Sequence, residues 1–368
     1  MTAPLRVALV GPSLDILGGQ AVQAARLLER LREIPGLEVD FIPVNPRLPG
    51  PLRGLQRVKY VRTVVTELAY VANLLRRLPR YDVVHAFSAS YFSYLLAPLP
   101  ALVVGKLYGK RTVLNYRSGE ADDHLANWRT AVPTIRRFAD VVAVPSGYLV
   151  DVFGRHGLAA ESIFNFVEIE RLPHRERPRP RPVFLSNRNL EPLYNVACTL
   201  EAFALVQREV PDARLLVAGD GSQRGALERR VRELGLTGVE FLGRVPPARM
   251  GELYDRADVY LNSPDIDNMP GSIIEAYAAG LPVVTTDAGG IPYIVRHEET
   301  GLMVPRGDHR AMAAAALRVL REPGLAARLG GNARAECVGR YVWPAVRDEW
   351  HALYRRLAGH PATAGAFA

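Results

Sequence analysis

The chain has 368 residues, of which 48% are hydrophobic and 23% charged. This composition excludes an intrinsically disordered, collagen-like or disulfide-built protein, and the length is enough for two full cores. Lys and Arg number 46 against 38 Asp and Glu, a net charge of +8 that suits anionic partners: nucleic acid, acidic lipid headgroups or phosphorylated small molecules.

The N-terminus carries one cation, Arg6, and then an apolar run ending at Gly11. The run is too short for a signal-peptide core with a cleavage site and reads as a first buried strand. No stretch of 18 apolar residues occurs, so the expected location is the cytoplasm. The two cysteines, Cys198 and Cys337, fit a reducing compartment and form no metal-ligand spacing.

Strands are expected at 6–10, 39–44, 82–85, 112–115, 141–145 and 162–166. After the first of these comes a helix over 20–32, with Ala21, Ala24, Ala25, Leu28 and Leu31 on one side. Strands separated by helical stretches argue for parallel pairing with crossover helices. The stretch 171–182 (RLPHRERPRPRP) holds four prolines and five arginines and reads as an extended, solvated linker, or as a surface loop within one domain. Beyond it the rhythm repeats, with strands at 182–186, 214–218, 239–242, 259–262 and 282–285 and helices at 196–209, 225–234, 249–256 and 271–279. A final amphipathic helix over 345–357 aligns Val346, Trp350, Leu353, Tyr354 and Leu357. Two α/β domains of similar size imply a cleft, with ligands at the carboxyl ends of the strands.

Gly11 and the pair Gly18 and Gly19 lie between the first strand and its helix. The spacing G-P-S-L-D-I-L-G-G does not fit a dinucleotide fingerprint, which disfavours a nicotinamide or flavin cofactor. The glycine pair is either a tight turn or an anion cradle at a helix start. In LSNRNLEPLYN, Arg188 falls just past a strand. It is either a surface residue or a phosphate ligand whose planar fork gives two parallel bonds. The segment 263–293 is the richest. Asp265, Asp267 and Asn268 precede a helix that begins at Gly271 and Ser272, and they either cap it or face a ligand. Glu275 lies just over one turn into that helix, and Gly289 and Gly290 end the following strand. Carboxylates there can accept sugar hydroxyls, and glycine amides can meet phosphate oxygens.

Asp267 and, seven intervening residues later, Glu275, continuing as EAYAAGLPVVTTDAGGIP, resemble the signature of retaining GT-B glycosyltransferases of the family 4 type, the group 1 glycosyl transferases. Gly18 and Gly19, 82–85, Ser146, Asn165, 219–221, 241–243 and 301–305 agree in order. The resemblance implies two Rossmann-like domains whose parallel sheets face each other across a cleft. The acceptor-side domain would span 1–170, with a helix about 345–358 packing back on it. The linker would be 171–182, and the nucleotide-sugar domain 183–340. It further implies that Arg188 clamps a diphosphate, Glu275 bonds the ribose, Asp267 stands where a Glu contacts the transferred sugar, and Phe241, Leu242, Gly243 and Arg244 line the base. Gly18 and Gly19, with Asn268, Gly271, Ser272, Gly289 and Gly290, would supply contacts to phosphate, sugar or acceptor.

Three features depart from the pattern. Leu193 and Tyr194 stand where a Lys follows the phosphate Arg, Arg117 stands where the first domain offers a His, and Tyr293 replaces a Glu after the glycine pair. The diphosphate loses one cation, which Arg117 would restore from across the cleft. His85 reads as structural or cleft-lining, and His124 as facing either an acceptor or water. Asp265 and Asp267 lack a third ligand, so no metal and no resident cofactor are expected.

The stretch 47–80 holds eight cations and the single acid Glu67, interleaved with apolar residues. It suits a helix on an anionic membrane or an ordinary packed helix pair. No basic strand interleaved with aromatics suggests nucleic acid. The implied activity is transfer, with retention, from a nucleotide-diphosphate sugar to a sugar or lipid-linked acceptor in cell-surface polysaccharide or glycolipid assembly. A nucleotide-sugar 2-epimerase and a non-catalytic binding relative are the alternatives.

Overall fold

The computed structural model describes residues 4–13, 19–48, 50 and 61–359. They form two compact units: residues 1–163 with the C-terminal segment from Arg347, and residues Phe164–Val346.

The first unit holds a parallel sheet of β1 (Leu5–Gly11), β2 (Leu37–Pro43), β3 (Val83–Ser88), β4 (Arg111–Tyr116), β5 (Val141–Val144) and β6 (Glu161–Ser162), in the order β2-β1-β3-β4-β5-β6. Val7 to Val10 are completely buried, because a parallel sheet is covered on both faces and its strands read as unbroken apolar runs. The helix Gly19–Leu31 buries Ala21, Ala24, Leu27 and Leu31, so Leu27 takes the inward position assigned from sequence to Leu28. The stretch 162–166 yields only the short β6. The C-terminal helix Trp343–Leu357 crosses the unit boundary. Its Trp350 stacks on His85 of β3, and Arg356 pairs with Glu161.

The second unit holds β7 (Val183–Ser186), β8 (Arg214–Ala218), β9 (Val239–Gly243), β10 (Val259–Asn262), β11 (Val283–Thr286) and β12 (Leu302–Val304), all parallel, in the order β12-β11-β10-β7-β8-β9. The strand β12 was not expected from its three residues. Apolar clusters cover both faces. The chain runs outward from β7 through β8 to β9 and then returns to the other side of β7 with β10. The loops after β7 and β10 therefore diverge, which opens a crevice at that switch point.

The stretch 171–182 lies within the second unit, mostly exposed but anchored at Leu172 and Arg177. Arg177 is 2% exposed. Its Nη1 donates to Ala279 O (2.7 Å), its Nη2 to Tyr254 O (3.0 Å) and its Nε to Ala257 O (3.1 Å). Arg175, Arg177 and Arg181 all pair with the buried Asp258. Proline denies the strap a regular backbone, and the guanidinium donors of Arg175, Arg177 and Arg181 tie it instead to carbonyls at and near helix ends. Ala279 caps the helix that carries Glu275. Arg177→Ala leaves several buried acceptors unmet, and urea unfolding should show about 3–5 kcal/mol lost.

Candidate active site

At the switch point of the second unit, β7 ends and the next two residues, Asn187 and Arg188, turn into the diverging loop. Arg188 donates through Nη1 to Ser272 Oγ (2.9 Å) and through Nη2 to Asp267 Oδ2 (2.5 Å). The ring of Tyr194 lies under its guanidinium at 4.2 Å. Both charged partners are nearly buried, with side chains 10% and 12% exposed. Burial alone would lower the pKa of Arg188, but the Asp267 carboxylate beside it holds it above the ordinary arginine value. Burial pulls Asp267 upward against the attraction of Arg188. The Nε of Arg188 is buried with no hydrogen-bond partner among the described residues. The Asp267 carboxylate is thus engaged with Arg188, where the sequence resemblance assigned it to the transferred sugar. Its Oδ1 accepts the Asn268 amide (2.9 Å).

Glu275 joins the same network from the helix Gly271–Ala278. The hydroxyl of Tyr254 lies 3.0 Å from Glu275 Oε2 and 3.2 Å from Ser272 O, and accepts Asn187 Nδ2 at 2.8 Å. Burial and the neighbouring Glu275 raise the Tyr254 pKa well above 10, so the hydroxyl remains a donor. Asn187 and Tyr254 are not marked by any sequence pattern, and Tyr194 stands out there only as the residue in place of a cation.

The helix Gly271–Ala278 follows Pro270 with no side-chain cap, so Asp265, Asp267 and Asn268 do not cap it. Asp265 instead accepts Asn195 Nδ2 (3.1 Å). Gly289 and Gly290 were expected to offer amides to a ligand, yet the Gly290 N–H donates to Asp267 O (3.1 Å). A Cβ at Gly289 would lie 2.2 Å from Asp267 O, and one at Gly290 would lie 2.1 Å from Asn268 O. These glycines let the Asp267 loop lie directly on β11's exit turn. Phe241, Leu242 and Gly243 close the edge strand β9, half-buried. The Gly243 carbonyl is bonded by Gly219 N, and Arg244 approaches Asp220 at 3.7 Å.

The remaining expected residues lie in the first unit. Gly18 falls outside the described residues, and Gly19 begins the first helix. Arg117 follows β4, half-buried, with Nη1 donating to Asn115 Oδ1 (3.1 Å). His124 does not face water. It is fully buried and bonds Tyr116 Oη through Nδ1 (2.7 Å), and burial pushes its pKa down to about 4. A cavity of about 790 Å³ at the carboxyl ends of β1 and β3 is lined by Pro12, Gln20, Glu67, Phe87, Ala89 and Leu96, among others. Among the described residues, no three His, Cys, Asp or Glu side chains are placed to hold a metal ion.

Comparison with known proteins matches residues 169–336 to the family described as glycosyl transferases group 1. The chain is 33% identical over 192 residues to an exopolysaccharide phosphotransferase of Streptomyces coelicolor, a match that covers 50% of this chain and 20% of that one. It is 31% identical over 228 residues to a phosphatidyl-myo-inositol mannosyltransferase of Mycobacterium leprae, covering 60% and 54% respectively. It thus spans a fifth and about half of the lengths of these two curated relatives. The fold is similar to that of Anabaena HepE, crystallised with UDP-glucose, with a TM-score of 0.78 at 18% identity over 96% of this chain and all of that one. Residues 169–336 thus carry the match to the group 1 glycosyl transferases, and the two parallel six-stranded sheets have the GT-B fold.

Proposed function

We propose that the chain is a glycosyltransferase that moves a sugar from a nucleotide-diphosphate sugar to an acceptor hydroxyl, with retention at the anomeric carbon, in polysaccharide or glycolipid assembly. The observation that carries this reading is the joint network of Arg188, Ser272, Tyr254 and Glu275 at the switch point of the second unit. It sets a permanent cation and a carboxylate side by side, as a diphosphate and its ribose require. HepE was crystallised with UDP-glucose, and the mycobacterial relative is named for mannosyl transfer to a phosphatidylinositol; both support the reading.

In the reaction the bond from the anomeric carbon to the diphosphate oxygen breaks as the acceptor oxygen bonds the same carbon on the same face. The acceptor proton passes to the leaving phosphate. Charge collects on that phosphate, and Arg188 stabilises it in a site largely closed to water. With a guanidinium and the free amides at the start of the helix Gly271–Ala278 in place, the reading needs no metal. Arg117 is a second anion-binding candidate, and the first-unit cavity takes the acceptor. Incubation with a panel of nucleotide sugars tests the proposal. It expects nucleotide release and a product of unchanged anomeric configuration, unaffected by EDTA. A new nucleotide sugar without an acceptor would identify an epimerase, and no turnover or nucleotide binding would leave a scaffold.

The acceptor side is read as working at the inner membrane face. The helix Val61–Arg77 buries Tyr70 and Leu74 but leaves Val64 60% and Leu68 66% exposed, along with Val61 and Leu75. Arg62 and Arg76 flank this stripe. Such a helix lies in an anionic headgroup layer. Arg53, Arg57 and Lys59 of the same basic stretch lie outside the described residues. No helix among the described residues is long and apolar enough to cross a membrane. Leu68→Glu should abolish flotation with liposomes containing anionic lipid, and wild-type flotation of that variant would refute the membrane reading.

A further inference from the structure

We infer that Arg117 is an anion receptor and that His85, Asn115 and Tyr354 are positioning residues that hold it ready. This deepens the transferase reading and rests on it for the identity of the anion. Arg117 has no carboxylate within ion-pair distance among the described residues, and its contacts are Asn115 Oδ1 and the face of Phe87, 5.3 Å from the ring centre. A half-buried guanidinium without a counter-ion is costly to keep. Burial pushes its pKa down to about 9, so it is still a cation at neutral pH. Its remaining donors await an anion.

The partners behind it are fully determined by donor and acceptor chemistry. Arginine only donates, so the Asn115 atom facing it is the carbonyl Oδ1. Asn115 Nδ2 then faces His85 Nε2 at 2.9 Å and donates to it. His85 Nε2 must therefore be unprotonated, and the ring proton sits on Nδ1, which donates to Tyr354 Oη at 2.6 Å. His85 and Tyr354 are 0% exposed and Asn115 is 1% exposed, and the imidazole lies between Phe87 (5.3 Å) and Trp350 (4.9 Å). Burial, with Arg117 nearby, pushes the His85 pKa down to about 3, in keeping with a neutral ring. Flipping Asn115 would set its N–H against the arginine's N–H and its carbonyl oxygen against the unprotonated Nε2. The relay thus permits one arrangement, and it anchors Arg117 to the C-terminal helix at Tyr354, 237 residues further along the chain.

The anion has two possible sources with one chemistry: the donor's diphosphate or an acidic group on the acceptor. Calorimetric titration of the full chain with inorganic pyrophosphate, UDP, GDP and ADP represents the first. Glycerol 3-phosphate and glucuronate represent the second. Arg117→Ala should weaken binding of at least one set tenfold or more, with Arg117→Lys recovering part of it. Tyr354→Phe, which removes a single oxygen, should weaken the same set severalfold. Ring ¹⁵N spectra should show His85, identified by its loss in His85→Gln, as the Nδ1–H tautomer.

The anion role falls if wild type binds neither set or if Arg117→Ala binds both unchanged. The relay falls if Tyr354→Phe and Asn115→Ala, each melting cooperatively, bind like wild type, or if His85 carries its proton on Nε2. Binding of glycerol 3-phosphate or glucuronate that depends on Arg117, without any nucleotide binding, would retire the transferase reading and keep this one. Sugar transfer that is indifferent to Arg117 would do the reverse.

Discussion

Arg188→Ala should lower turnover about 10²–10³-fold, the usual cost of removing one preorganised donor from the position where charge develops. The guanidinium is the group best placed to receive a leaving diphosphate, because it is held on three sides by Ser272, Asp267 and the ring of Tyr194. The truncation also leaves Asp267 buried without its cation, which threatens folding by about 3–5 kcal/mol. The double variant Arg188→Ala with Asp267→Asn separates the two effects. It should recover most of the stability and none of the turnover. Arg188→Lys keeps the charge but loses the fork and should fall between wild type and alanine. If the double variant turned over at the wild-type rate, Arg188 would be a structural ion-pair partner and no more.

Glu275→Gln should raise the donor KM about tenfold to hundredfold with a smaller change in kcat, because a carboxylate accepting hydroxyls contributes about 1.5–3 kcal/mol to binding that is uniform between ground and transition states. Glu275 stands one turn into its helix, with the Tyr254 hydroxyl 3.0 Å from its Oε2. Tyr254→Phe should reproduce part of the KM increase by removing that donor and the Asn187 contact together. A 2′-deoxyribose donor analogue supplies the control. It should lose affinity against wild type and lose little more against Glu275→Gln. Equal losses in both backgrounds would show that Glu275 does not meet the ribose.

Much of the candidate site was legible because its residues lie at predictable points of a βα rhythm. Arg188 follows an apolar run, and Glu275 follows a glycine that starts a helix. What could not be read was the partner of each. Asp267 was assigned to a sugar, but it is one methylene shorter than glutamate and lies beside Arg188. Tyr194 read as a missing cation, whereas its ring supports the cation already present. The glycines 289 and 290 read as ligand amides, but the Asp267 loop rests on them. Arg177 read as solvated like its neighbours, since nothing local in the sequence reveals that it reaches carbonyls about 80 and 100 positions away.

The sequence by itself determined the alternation of apolar strands and amphipathic helices, hence two parallel α/β units, because hydrophobic periodicity is a local property of the chain. Only the tertiary structure decided that β10 returns to the far side of β7, which opens the crevice holding Arg188 and Asp267. Only it decided that Tyr354 closes a relay through His85 and Asn115 to Arg117. Strand order and long-range hydrogen bonds depend on which surfaces bury each other once the chain has folded, and no window of the sequence contains both partners.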